Sequence, residues 1–179
     1  NNPVSSAKLD DPVSRLGSVT RSVLQKLDRL GIQTIQDLVY HFPRRYSEVR
    51  KVAQLRPTDE EQAVLVTVWS ANLTTLGKRR KATEAMVGDE TGNIRVVWFN
   101  QPYLANRLKP NTRLLLSGRV GVYRGVLVFE SPEFEMVGAG IPGPKPGHLL
   151  PIYPSTEGLT QRMLRRAVAE AIDETLSQL

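Results

Sequence analysis

The stretch Asn93–Leu108, NIRVVWFNQPYLANRL, constrains the fold of this chain more than any other segment. Its apolar residues first recur at every second position, which predicts a β-strand with one side facing a core. Trp98 shares that side with Ile94 and Val96 and is therefore expected in the core. Phe99 lies on the opposite side, at the exit of the strand.

Two aromatic rings are expected where this strand ends. Asn100 is predicted to cap a short helix over residues 102–108. Pro102 suits the first turn of this helix, because an N–H at that position would have no partner within the helix and proline has none. Tyr103 follows Phe99 by four residues, so both rings can project from one rim of the sheet. Aromatic residues on such a rim can stack on unpaired bases. The alternative is that both rings are packed in the core.

Composition excludes several classes of function. The chain has 179 residues, 40% of them hydrophobic, so a globular fold is expected. It has no cysteine and only two histidines, far apart in sequence, so no metal site, disulfide framework or nucleophilic Cys–His pair is expected. The net charge of +6 favours an anionic partner. Without a membrane-spanning apolar run or a signal peptide, a cytoplasmic location is expected.

The N-terminal segments are predicted to be helical. Residues 1–14 are polar and are expected to form a flexible lead-in. Apolar residues at helical spacing predict a first helix that stops at Gly31. Thr34 and Asp37 have the spacing of a capping box and predict a second helix. This helical hairpin and its connection are assigned to residues 15–56.

Residues 57–140 are assigned to one β domain. The predicted strands are, in order, 63–73, 82–87, 93–99, 112–123 and 126–130 continuing at 134–137, with the short helix after the third. This order predicts an oligonucleotide-binding (OB) fold, which is a five-stranded Greek-key barrel. The whole chain is therefore expected to be mostly β with flanking helices, of the α+β class.

Basic residues occupy the two loops that flank the ligand face of an OB fold. The loop over residues 74–81 joins the first two strands and contains Lys78, Arg79, Arg80 and Lys81. Arg124 lies in the turn between the last two strands. Because an OB fold binds its ligand between these loops, the cations are expected to contact nucleic acid. A solvated charged loop is the alternative.

Residues 141–179 are assigned to a linker and a C-terminal helix. The segment 138–143 has the spacing G-x-G-x-x-G, but the proline-rich run after it cannot begin a helix, so it is not a dinucleotide site. From Thr160 onward, apolar residues form a stripe at helical spacing that needs a partner surface.

Five ordered motifs resemble the N-terminal part of the RecG family of ATP-dependent DNA helicases, which remodel stalled replication forks and branched recombination intermediates. They are LGIQTIQDL at 30–38, HFPRRY at 41–46, DETGNIRVVWF at 89–99, WFNQPYL at 98–104 and PIYPSTEGLTQRMLRRAV at 151–168. The similarity extends from about Leu16 to Leu176. The chain departs from the family at residues 17–20, where Gly-x-Gly is usual, and at Ser155, where an apolar residue is usual.

The resemblance implies that this region is a wedge domain, an OB barrel that sits at a branch point and splits the parental duplex arms. Phe99 and Tyr103 match the family's rings that stack on the separated bases, and Asn100 between them completes the expected nucleic-acid site. The implied partners are replication forks, Holliday-type junctions and the motor domains of the same parent chain. A monomer in the cytoplasm, associated with the bacterial nucleoid, is expected.

The parent of such a wedge is implied to be an ATP-dependent DNA helicase of repair and recombination that uses ATP and magnesium. The chain contains no G-x-x-x-x-G-K-[ST] motif, so it is expected to need no cofactor and to catalyse no reaction by itself. Two other functions stay open. The stripe on the C-terminal helix would suit a module that docks a protein partner, and the barrel would suit RNA.

Overall fold

A computed structural model describes residues 6–179. The chain divides into two compact units. One comprises the described residues up to Tyr46 together with Pro151–Leu179, and the other is Ser47–Leu150. The first is largely helical and the second contains most of the strands, so the chain is mostly β with flanking helices, as predicted. Within residues 6–179, no helix has the length and apolar character needed to span a bilayer.

The helical unit contains two short capped helices, α1 (Arg21–Arg29) and α2 (Ile35–Val39). Thr20 accepts a hydrogen bond from a first-turn N–H of α1. At α2, Thr34 and Asp37 each accept a hydrogen bond from the other's backbone N–H, which confirms the predicted capping box. Because these N–H groups have no partner inside a helix, the caps define where both helices begin.

The C-terminal helix α4 (Gln161–Thr175) packs within the same unit. Four residues of its apolar stripe lie in one buried cluster with residues of α1 and α2; they are Leu164, Ala167, Val168 and Ala171. The predicted stripe is therefore present, but its partner surface belongs to this chain. Met163, Ile172 and Leu176 of the predicted stripe stay exposed, so docking of a protein partner through this helix stays a prediction.

The segment before α1 also contributes to this cluster. Ala7 and Val13 are buried in it, and a 3₁₀ turn spans Val13–Arg15. This packing differs from the flexible lead-in predicted for residues 1–14, of which residues 1–5 lie outside the described part of the chain. The polar composition of the segment concealed two apolar side chains that long-range packing buries.

The sheet contains seven strands in the order β3-β4-β6-β5-β2-β1-β7. They are β1 (Arg45–Arg50), β2 (Thr58–Leu76), β3 (Arg80–Asp89), β4 (Gly92–Phe99), β5 (Arg113–Tyr123), β6 (Val126–Val137) and β7 (Leu149–Ile152). The five predicted strands correspond to β2–β6, and the sheet also contains β1 and β7, which were not predicted. Strand β1 is mostly polar and β7 contains Pro151, so neither has the alternation that identifies a strand in a sequence.

Strands β2 to β6 form a continuous cycle of pairings. Strand β3 pairs antiparallel with β2 and β4, and β4 pairs parallel with β6. Strand β5 pairs antiparallel with β6 and with β2, which returns the cycle to its start. Strand β2 serves both neighbours because it is 19 residues long, with β5 along its first half and β3 along its second.

The main core is built mainly from residues of these strands. Trp98 and Phe129 are fully buried in a cluster with aliphatic residues of β2 to β6. Ile94 and Val96 are buried on the same side of β4, which confirms the predicted alternation and the core position of Trp98.

Two predicted segments next to the core have different bounds. Strand β2 continues to Leu76 and β3 begins at Arg80, so the loop between them is only residues 77–79. Helix α3 (Leu104–Arg107) is shorter than predicted, and Tyr103 rather than Asn100 occupies its N-cap position. The backbone of Asn100 is left-handed, with φ of 59°, whereas the N-cap residue of a helix normally has an extended backbone.

Candidate nucleic-acid interface

Phe99 and Tyr103 are both exposed where β4 ends. The exposed fraction is 45% for Phe99 and 59% for Tyr103. Phe99 lies on the outer side of the sheet, because alternation along β4 directs the neighbouring Trp98 inward. The alternative in which both rings are packed in the core is therefore wrong.

Hydrogen bonds hold the chain on either side of these rings. The backbone N–H of Phe99 donates to Ser131 Oγ at 3.0 Å. The hydroxyl of the buried Thr83 donates to the carbonyl oxygen of Gln101 at 2.7 Å, and the hydroxyl of Tyr103 donates to Gln101 Oε1 at 3.2 Å. The turn that carries the rings is therefore attached to β3 and β6, and not only to β4.

Asn100 and helix α3 determine how the chain leaves the rim. A left-handed backbone at Asn100 reverses the chain direction, and asparagine tolerates this conformation better than most residues. Leu104 and Leu108 then enter the main core. Because these leucines are anchored inside, Tyr103 at the N-cap stays on the surface.

The predicted cationic residues lie near Phe99. Lys78, Arg79, Arg80 and Lys81 are all exposed, the first two in the loop and the other two at the start of β3. Ala82, the next residue, is directly opposite Phe99. The structure therefore brings this cationic cluster and the ring of Phe99 to one end of the β3–β4 pair.

Arg124 lies at the other end of β4. It forms a two-residue turn with Gly125 between β5 and β6, with φ of 51° and 78°, and its Cζ is 5.3 Å from the centre of the Tyr123 ring. Strand β6 runs parallel to β4 with Val128 opposite Arg95, so the turn is near the start of β4. At about 3.3 Å per residue, roughly 20 Å separates this end from Phe99.

The outer face between the two ends combines apolar and charged side chains. Ala82, Val97 and Val128 form a small buried cluster next to Phe99. Farther along, Arg95 donates to Glu84 at 2.9 Å while 44% of the Arg95 side chain remains exposed. Two exposed rings of this unit, Trp69 and Tyr123, escaped prediction from the sequence. The available signal for Trp69 was Gly88 inside the neighbouring strand β3, because a glycine inside a strand often marks the close approach of another group.

Asp89, the last residue of β3, has a structural role at the turn into β4. The Asp89 carboxylate accepts hydrogen bonds from the backbone N–H of Val52 and from the N–H and hydroxyl of Thr91. Burial alone would raise the pKa of Asp89, but the hydrogen bonds from Thr91 and Val52 outweigh it and the pKa is lowered. Asp89 is thus a charged anchor of the turn and not a catalytic group.

Comparison with known proteins identifies the family of this chain. The RecG wedge domain family matches residues 13–175. The chain is 29% identical over 165 residues to the ATP-dependent DNA helicase RecG of Pasteurella multocida, covering 90% of this chain and 23% of that protein. It is 30% identical over 135 residues to the RecG of Mycobacterium tuberculosis H37Rv, covering 72% of this chain and 18% of that protein.

A solved structure described as RecG bound to a three-way DNA junction is also similar. It has a TM-score of 0.66 and 26% identity, and the match covers 96% of this chain and 24% of that one. The chain therefore spans about a quarter of the length of these relatives. Because the family match includes nearly all of the sequence, this chain belongs to the RecG wedge domain family.

Proposed function

We propose that this chain binds branched DNA, at replication forks and Holliday-type junctions, and separates the duplex arms. The observation that carries the proposal is the pair of exposed rings, Phe99 and Tyr103, on a turn that is fixed to three strands. A base at a branch loses its last stacked neighbour, and an aromatic ring replaces part of that stacking at about 1–3 kcal/mol per base. This is comparable to one base-pair step of DNA, so two rings can favour opening at the branch.

The cationic cluster at residues 78–81 complements the rings. Four exposed cations attract the phosphate backbone without reading sequence. Because the cluster adjoins Phe99, phosphates attracted there lie close to the ring that would receive the base. Arg124 would contact the same strand at the far end of β4.

We further propose that the cycle of strands β2 to β6 is an OB-type Greek-key barrel, with β1 and β7 as additions at its edge. In support, the elements follow one another along the chain as in an OB fold, with three strands, a short helix and two strands. The face across β3 and β4 then corresponds to the ligand face of that fold.

The parent protein is proposed to be a RecG-like ATP-dependent helicase of DNA repair and recombination. The RecG protein of Pasteurella multocida named above is described as an ATP-dependent DNA helicase. The motor domains of the parent chain, using ATP and magnesium, would drive translocation, whereas this region would bind and separate strands passively. We propose a monomer that acts in the cytoplasm, in association with the bacterial nucleoid.

Binding of forked and plain duplex DNA tests the proposal. Phe99→Ala and Tyr103→Ala are expected to weaken binding to forked DNA several-fold or more and to leave binding to plain duplex, which offers no unstacked base, nearly unchanged. Phe42→Ala, which removes an exposed ring of the helical unit, is the matched control. Equal loss on forked and plain duplex DNA would contradict the wedge role. Stronger binding to RNA of the same branched shape would favour the RNA-binding alternative.

A further inference from the structure

We propose that Trp69 is a second base-stacking ring, at the opposite end of the outer face of β4 from Phe99. An unpaired DNA strand released at the branch would lie between the two rings. This inference rests on the proposed DNA-binding function and adds to it the path of one strand.

Trp69 follows the buried Val68 and therefore faces the outer side of the sheet, where it lies in a β-bulge. Val68 is opposite Val87 and Ser70 is opposite Met86, so Trp69 is the extra residue of the bulge. Bulges commonly re-aim a side chain next to a functional site. The indole Nε1 donates a hydrogen bond of 2.9 Å to Asn93 Oδ1 on β4. Because β3 lies between β2 and β4, the indole must cross β3 to make this bond.

Gly88 provides the space for that crossing. It is directly opposite Asn93 in the β3–β4 pair. A Cβ atom at position 88 would lie 2.7 Å from Trp69 Nε1 and 2.6 Å from the carbonyl oxygen of Gly92, both far inside normal contact. Any larger residue would displace the ring, so a bulge, a glycine and a hydrogen bond together hold it against the sheet.

The ring is held in place and still accessible. The exposed fraction of Trp69 is 46%, close to that of Phe99. A tryptophan that served only packing would be buried more completely, as Trp98 is in the same unit. Because the ring is already immobilised, stacking a base on it costs little additional side-chain entropy.

Trp69 and Phe99 mark the two ends of one continuous surface. Asn93, which binds the indole, lies on the same side of β4 as Arg95 and Phe99. Phe99 is six residue steps along the strand from Asn93, or about 20 Å. A shallow cleft lies at the Asn93 end of this path, lined by Met86, Asn93, Ile94, Arg95, Val126 and Leu127.

The chemistry of this surface favours a single-stranded nucleic acid over a protein partner. It places an accessible ring at each end, the Arg95–Glu84 ion pair between them and the cationic cluster beyond Phe99. Single-strand sites combine aromatic platforms with positive charge in this way. A stacked strand rises about 3.4 Å per nucleotide and an unstacked one rises more, so 20 Å corresponds to roughly three to six nucleotides.

Tryptophan fluorescence tests the contact directly. The chain has only two tryptophans, and Trp98 is fully buried, so quenching by a stacked base reports on Trp69. We expect a thymidine oligonucleotide of about 12 residues to quench the wild-type chain and to leave Trp69→Phe unquenched. Trp69→Phe retains a ring and should bind within a few-fold of wild type.

Forks with different arms test the strand path. Trp69→Ala should weaken binding at least about 5-fold for a fork with an unpaired arm of about 12 nucleotides, and should have no effect on a fork with fully paired arms. Asn93→Ala keeps the ring but releases it, so a smaller loss on the same substrate is expected. Thermal melting of each variant checks that the domain is folded.

The outcomes separate this inference from the function on which it rests. If forks bind and Phe99→Ala weakens them, but Trp69 is not quenched, the second ring is wrong and the proposed function stands. Equal losses for Trp69→Ala on both forks would also overturn it, because the effect would not depend on an unpaired arm. If Phe99→Ala leaves fork binding unchanged, the proposed function itself fails.

Discussion

Trp98 Nε1 donates a hydrogen bond of 2.8 Å to the carbonyl oxygen of Pro132 on the neighbouring strand β6. This bond joins two strands at the level where the neighbouring Phe99 leaves the sheet. Its position explains why one of two adjacent aromatic residues is structural and the other is available to a ligand. The buried indole fixes the strand end, and the phenyl ring next to it faces outward.

The stabilities of variants at these two positions should therefore differ widely. Trp98→Ala should lower the free energy of unfolding by about 3–5 kcal/mol, because it leaves a cavity in the main core. Phe99→Ala should lower it by less than about 1 kcal/mol, since the ring is half-exposed. Chemical denaturation measures both. Comparable losses for the two variants would show that Phe99 belongs to the core.

Trp98→Phe isolates the hydrogen bond. Most of the buried ring volume is retained, but the carbonyl oxygen of Pro132 loses its donor in a buried site. A cost of about 1–3 kcal/mol is expected for the unsatisfied group in addition to any cavity. Melting curves of this variant beside Trp98→Ala separate the two contributions.

The cationic cluster is expected to act through charge alone. Replacement of Lys78, Arg79, Arg80 and Lys81 by alanine should weaken binding to linear and branched DNA alike. Each lost phosphate contact should reduce the slope of log K against log salt by about 0.7–0.9. A control that exchanges lysine for arginine at the same four positions keeps the charge and should keep the slope. An unchanged slope in the alanine variant would mean that the cluster is simply solvated.

Asp89 should make stability depend on pH. Because hydrogen bonds from Thr91 and Val52 lower the pKa of its carboxyl in the folded state, its contribution is present above the unfolded pKa, near 3.9, and is lost as the pH falls through the folded value. Asp89→Asn should therefore lose stability at neutral pH and show a smaller loss on acidification than wild type. Glu90→Gln, at the exposed neighbouring position, is the control. Parallel acid transitions for wild type and Asp89→Asn would refute the assignment.

Helix α4 should prove to be a structural element of this chain. Leu164→Ala should cost about 2–5 kcal/mol, because the side chain is fully buried among α1 and α2 residues. Met163→Ala, on the adjacent and more exposed position of the same helix, should change stability by less than about 1 kcal/mol. Denaturation followed by circular dichroism compares them. Equal effects would indicate that α4 is not held by its apolar stripe.

Local patterns in the sequence determined the features that depend on a few neighbouring residues. The capping box of Thr34 and Asp37 places the start of α2, because both partners lie within one helical turn. The alternation in β4 places Trp98 inside and Phe99 outside, since successive side chains of a strand point to opposite faces. The exposure of Phe99 was predictable for the same reason, whereas that of Tyr103 depends on the turn and helix after the strand.

Tertiary structure alone decided what depends on residues that are distant in the chain. The double pairing of β2, the burial of the α4 stripe and the edge strands β1 and β7 all require partners far away in sequence. The same is true of Trp69, whose indole is held by Asn93 and passes Gly88. Trp69, Gly88 and Asn93 each fit a β-strand locally in an ordinary way. The contact between them exists only because strand pairing makes them neighbours in space.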